Sequence, residues 1–193
     1  LAAFNSKWIR DICQDSFRRE GYFADHAPDF GAGRRNVGWQ EAGVICPYLQ
    51  YRCYGDTDIL AENYEAMVQF TMGLHEKADE RGLQWKDGAG NGDWLNLGGG
   101  ASHEVIAAAY YIRVLDCMAE IARALDKDAD ADSLQALAVQ ARAAFADHLI
   151  DGEGRISDSS QTGYALAFAL GLVPHGKREA AAYQFKKEME RFE

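Results

Sequence analysis

Two stretches concentrate the residues whose types and spacing could do chemistry. Residues 82–103 read Gly-Leu-Gln-Trp-Lys-Asp-Gly-Ala-Gly-Asn-Gly-Asp-Trp-Leu-Asn-Leu-Gly-Gly-Gly-Ala-Ser-His, with seven glycines, two tryptophans and two aspartates. Glycines let a backbone pass close to a ligand, and Asp93-Trp94 sets a carboxylate beside an indole. That pair suits a sugar, because the indole face packs on the C–H side of a pyranose while the carboxylate accepts hydrogen bonds from its hydroxyls. The competing reading is a surface loop with Trp85 and Trp94 tucked under it as core plugs. No GxxxxGK[ST] is present, so the glycines do not form a phosphate loop.

The second stretch, residues 21–41, carries Tyr22, Phe23, Asp25, His26, Asp29, Phe30, Arg34, Arg35, Trp39 and Glu41. Glu41 stands where a helix begins, so its carboxylate either points into a cavity or simply complements the helix macrodipole. A helix N-terminus lowers a carboxylate pKa, which opposes a general-acid role unless burial or a second carboxylate raises it again. His26, His103 and the other histidines lack HExxH or triad spacing and read as capping or packing residues. GxSxG and a Cys/His pair with an orienting group are absent, so nucleophilic hydrolysis has no local signature. Cys13, Cys46, Cys53 and Cys117 show no CxxC and no zinc spacing. They are expected as small core residues, suggesting neither a metal site nor a disulfide framework, and the sequence calls for no cofactor.

These loops need a scaffold, and the periodicity predicts one that is all-α. Apolar residues recur at helical spacing through most of the chain, with no sustained alternation of period two. Residues 4–19, 57–80, 132–150 and 177–193 each carry one apolar stripe and one wet face. Residues 40–54, 104–125 and 161–172 are apolar nearly all round, which calls for burial on most sides; Pro47 fits if it lies in the first turns or kinks its helix. The order is outer, inner, outer, inner, outer, inner, outer, with inner helices starting near residues 41, 104 and 161. A repeat of that kind describes part of a helical toroid in which all inner helices point the same way. Inner-to-outer links are short, whereas the outer-to-inner links, 21–40, 82–103 and 151–161, are long. Parallel inner helices put all three long links over one mouth, the expected functional face.

Composition narrows the classes further. The 193 residues are 48% hydrophobic with a net charge of −10 and mean hydropathy −0.34. That supports a packed core and excludes a membrane helix, and the negative charge disfavours nucleic acid and anionic membranes as partners. Leu1 enters a helical pattern directly and Glu193 stops within one. Residues 1–193 are therefore expected to be part of one domain, truncated at both ends.

Gly38-Trp39-Gln40-Glu41-Ala42-Gly43-Val44-Ile45-Cys46-Pro47-Tyr48, then Tyr54-Gly55-Asp56 and Ile59-Leu60-Ala61-Glu62-Asn63-Tyr64, resemble the catalytic domain of bacterial α-L-rhamnosidases, the inverting glycoside hydrolases of family 78. Gly92-Asp93-Trp94-Leu95, Glu104 to Tyr111, Ser160-Gln161-Thr162 and Gly171-Leu172-Val173-Pro174 continue the resemblance in register. It implies an incomplete (α/α)6 barrel and an enzyme that releases terminal α-L-rhamnose from a rhamnose-containing glycoside or oligosaccharide by general acid/base catalysis. It places the family's sugar-contacting tryptophan on Trp39, its hydroxyl-holding aspartate on Asp25, and a subsite-lining segment on Asp93-Trp94. Where well-known members carry the general acid this chain has Arg34-Arg35-Asn36, so Glu41 is the first candidate for that role and Asp29 the second. The family's general base falls after the last residue given, so these 193 residues alone are expected to be inactive or nearly so. Two alternatives accompany this reading: a toroid that binds sugar without cleaving it, and an (α/α)6 glycosidase for a different sugar.

Overall fold

A computed structural model describes residues 2–17, 21–29, 36–78, 81–83, 92–94, 96 and 100–191, with the side chains of 15–17 excepted. Phe30, Arg34, Arg35, Trp85 and Leu95 lie outside the described residues. Among the described residues the chain forms α1 (Ala2–Phe17), α2 (Ala42–Tyr54), α3 (Asp58–His75), α4 (His103–Ala124), α5 (Asp128–Leu149), α6 (Gln161–Ala169) and α7 (Arg178–Glu190). A short 3₁₀ turn, His175–Lys177, precedes α7, and an isolated β bridge joins Ile150 and Ile156. The fold is all-α, as the periodicity predicts.

Local chemistry sets the helix limits. Ser102 and Ser160 adopt extended backbone ahead of α4 and α6, and each hydroxyl accepts the N–H three residues on, from Val105 and Gly163. Both are N-caps that satisfy an otherwise orphaned donor. Gly55 ends α2 with φ of 69°, returning its N–H to the Tyr51 carbonyl. A left-handed terminus of this kind costs glycine nothing.

The core is organised by α4. Val105, Ala108, Ile112, Leu115, Met118 and Ile121 are all buried along it, and α2, α3, α5 and α6 pack around it. Each fully buried Val, Ile, Leu or Met contributes about 1.5–3 kcal/mol of transfer free energy, so this helix anchors the assembly. Arg142 on α5 forks onto both carboxylate oxygens of Asp116 on α4, fixing the register of the pair. Phe23, from the connection after α1, lies across α2 at Gly43 and tilts against Phe70 of α3 with ring centroids 4.8 Å apart.

Two expectations are corrected here. Helix α6 buries only Gly163, Tyr164 and Ala167; Leu166, Phe168 and Leu170 are half-buried, because it packs on α4 and α7 with no other described helix beside it. Cys13 and Cys117 are core residues, but Cys46 is half-buried and Cys53 exposed. Both sit on the α2 face that borders an open groove against Asn5, Trp8 and Ile9 of α1.

Candidate active site

The long connections meet at the N-terminal ends of the inner helices. A cavity of about 210 Å³ is lined by Val37, Gly38 and Trp39 from the first connection, and by Gly92 and Asp93 from the second. Ile106 and Tyr110 of α4 and Thr162 and Leu166 of α6 complete the wall. Its volume lies below the roughly 300–1,000 Å³ of drug-sized sites, which suits one small ring rather than a chain of them. Trp39 is 48% exposed on its rim.

Glu41 lies behind this wall. Residues 36–41 form a turn that leads into α2, and Glu41 occupies the N-cap position without capping the helix. Its carboxylate instead reaches back to accept the Gly38 N–H at 2.7 Å. The residue is 2% exposed, and burial pushes its carboxyl up to about 7. The N–H groups of the turn and the Gln40 side chain act the other way and the charge of Asp25 adds to the rise. Burial therefore outweighs these hydrogen bonds, and Glu41 can hold a proton near neutrality.

Asp25 does not reach the cavity. Its two carboxylate oxygens accept the Asn36 backbone N–H at 2.9 Å and the Asn36 side-chain amide at 2.6 Å, which clamps the start of the turn that carries Trp39 and Glu41. Asp29 is half-buried on the same connection, away from the cavity lining. Asp93 lines the cavity and accepts hydrogen bonds from the Asn96 amide at 2.9 Å and the Ala101 N–H at 3.1 Å. Partial burial works to raise its pKa, but hydrogen bonds from Thr162, Ala101 and Asn96 prevail and hold it below the ordinary carboxylate value. Asp93 is thus a fixed anion with part of its acceptor capacity left for a ligand. Trp94 is 64% exposed and outside the lining, so it is not a core plug.

Among the described residues no cluster of His, Cys, Asp and Glu could hold a metal ion, and no helix is long and apolar enough to cross a membrane. The arrangement is a small cup with an aromatic rim, an ionised carboxylate on one wall and a protonatable carboxyl behind the other. Proton donation to a bound polyol is chemistry such a site can do.

The known protein domain matching this chain is the bacterial α-L-rhamnosidase six-hairpin glycosidase domain, over residues 1–192. The chain belongs to that family. An α-L-rhamnosidase of Streptomyces avermitilis is 34% identical over 182 residues, 94% of this chain and 17% of that protein. The crystal structure of the S. avermitilis α-L-rhamnosidase complexed with L-rhamnose superposes with a TM-score of 0.86 at 33% identity, covering 96% of this chain and 18% of that one. The fold alone is shared with the α-L-rhamnosidase of Aspergillus terreus, with a TM-score of 0.89 at 21% identity over 98% of this chain and 23% of that one. The chain thus spans about a fifth of the rhamnosidases it matches.

Within this rhamnosidase domain, several residues that shape the cup were not among those singled out from the sequence. Tyr110 and Thr162 line it; Tyr110 sits within an apolar run that reads as packing, and Thr162 just ahead of one. The available signal was position: Thr162 lies in the first turn of an inner helix, two residues after its N-cap Ser160, on the end where the long connections meet. Asp158 was also missed. Its Oδ2 accepts the Ser102 N–H at 2.8 Å, and its Oδ1 accepts the Ser160 N–H at 3.1 Å and the Ser160 hydroxyl at 3.0 Å. The connection before α6 thereby braces the start of α4, while Asp93, before α4, bonds Thr162 of α6. Gly163 makes room for this brace, since a Cβ there would stand 2.6 Å from Asp158 Oδ1. Replacing Asp158 with alanine removes three hydrogen bonds to one carboxylate. The expected cost is about 2–3 kcal/mol, read as a lower Tm, with the Asp93 wall loosened as well.

Proposed function

We propose that this domain belongs to an inverting glycoside hydrolase that releases terminal α-L-rhamnose from rhamnosides, with Glu41 as general acid. The observation that carries the reading is a buried carboxyl, Glu41, bonded to Gly38 of the wall of a one-sugar cup that Trp39 and Asp93 share, in a chain of the rhamnosidase family; burial pushes that carboxyl up to about 7. In this reading Trp39 packs against the pyranose and Asp93 accepts its hydroxyls. Asp25 acts through Asn36 by holding the turn in place. Glu41 gives its proton to the glycosidic oxygen while a carboxylate across the sugar, about 6.5–9.5 Å away, activates the attacking water. Asp29 is the second candidate for the acid.

One observation favours a second reading, a toroid that binds sugar without cleaving it: Glu41 is 2% exposed and its carboxylate already accepts the Gly38 N–H. The two separate on p-nitrophenyl α-L-rhamnoside with the intact protein. Hydrolysis with the β anomer of rhamnose as first product supports the enzyme. Binding of L-rhamnose without turnover supports the second reading, and turnover only of another glycoside places the domain with a different sugar.

A further inference from the structure

Consecutive tyrosines of α4 are used in opposite ways. Tyr111 is 2% exposed, and its hydroxyl is 2.8 Å from His75 Nδ1, tying α4 to α3. Tyr110 is half-buried and lines the cup, and its hydroxyl makes no hydrogen bond with any described residue. Its ring lies along Gly38, where a Cβ would be 3.8 Å from Cζ and 3.9 Å from the hydroxyl oxygen. The N–H of that same glycine is the donor to Glu41. A phenol hydroxyl at an open cavity wall that no protein group uses keeps both its donor and its acceptor capacity for a ligand oxygen.

We infer that Tyr110 is a substrate-binding residue, its hydroxyl bonding a sugar oxygen at the wall formed with Gly38, whose N–H is held by Glu41. The inference rests on the proposed rhamnoside reading and deepens it. The ligand class follows from the surroundings: an uncharged polyol ring, with Trp39 for its apolar face, Asp93 as acceptor and Tyr110 as a group able to donate or accept. Val37, Ile106 and Leu166 supply the apolar remainder of the cup, where the methyl group of a 6-deoxy sugar fits better than a hydroxymethyl group.

The test is calorimetric titration of the full-length protein with L-rhamnose, for wild type, Tyr110→Phe and Tyr111→Phe. Loss of one neutral hydrogen bond predicts that Tyr110→Phe weakens binding about 3- to 10-fold with Tm unchanged. Tyr111→Phe lowers Tm through the lost His75 contact and leaves rhamnose affinity as in wild type. Equal affinity of wild type and Tyr110→Phe overturns the inference and leaves the proposed function standing. A wild-type protein that neither binds L-rhamnose nor cleaves a rhamnoside overturns both.

Discussion

Glu41→Gln lowers kcat on methyl α-L-rhamnoside about 10²–10⁴-fold, the usual contribution of a positioned general acid, with KM little changed. Glutamine keeps an oxygen to accept the Gly38 N–H, so the turn survives while the transferable proton is lost. The same substitution changes how stability depends on pH. Below the ordinary value of 4.5 the carboxyl is protonated in folded and unfolded chains alike and contributes no slope. Between 4.5 and about 7 the folded chain keeps a proton that the unfolded chain releases, so stability falls as pH rises. Above 7 the loss is complete, and at about 1.4 kcal/mol per pH unit it amounts to roughly 3 kcal/mol. Thermal melts at pH 5 and pH 8 check this. The Tm of Glu41→Gln relative to wild type is expected to be higher at pH 8 than at pH 5, and equal offsets at both would mean that the group does not titrate in this window.

Gly43→Ala is expected to be the most damaging small substitution in the scaffold. A Cβ at this position would coincide with the Phe23 ring, against Cγ, Cδ1 and Cδ2. Phe23 has no route of escape, being 1% exposed and held against Phe70 on its other side. Overpacking of this kind typically costs 1–3 kcal/mol, and with ring and helix backbone both confined the expected loss is about 3 kcal/mol. Denaturant titration of the variant measures it. Because Gly43 lies two residues after Glu41, a shift of the helix start also displaces the proposed acid, and on that proposal activity falls even where the protein remains folded. A companion Phe23→Leu substitution opens space and restores part of the stability lost. A Gly43→Ala protein as stable as wild type would mean that Phe23 does not lie across α2.

The sequence carried the scaffold well because helical periodicity is a property of each segment. Expected limits of 104–125 and 40–54 stand against His103–Ala124 and Ala42–Tyr54. Errors arose where segment chemistry and tertiary context diverge. α5 begins at Asp128, a turn earlier than its apolar stripe indicates, because Asp128 and Asp130 favour a helix N-terminus by charge rather than by hydrophobic contact. α6 ends at Ala169, with Leu170 as its cap and Gly171 in the left-handed region at φ 64°, though the apolar run continues to Leu172. Composition shows that α6 is apolar, and only the packing shows that few neighbours cover it.

The site was legible as a set of loops and only partly as residues. Gathering Trp39 and Asp93 at one cup follows from parallel inner helices, whose N-termini bring the long connections together. The division of labour among carboxylates does not follow from spacing. Asp25 is occupied by Asn36, Asp93 is partly occupied by Thr162 and its own loop, and Glu41 is buried, yet in sequence all three are simply acids near glycines and aromatics. Tyr110 and Thr162 escaped notice because one polar atom at the edge of an apolar helical run looks like packing until the neighbouring helix is in place.

The most direct test of Glu41 as proton donor compares wild type with Glu41→Gln on a series of α-L-rhamnosides whose leaving groups run from p-nitrophenol to methanol. An acidic phenol departs without protonation and an alcohol does not, so the predicted deficit is small for the p-nitrophenyl substrate and grows steadily toward the methyl glycoside. A deficit of the same size for every leaving group, or none for any of them, would contradict the assignment.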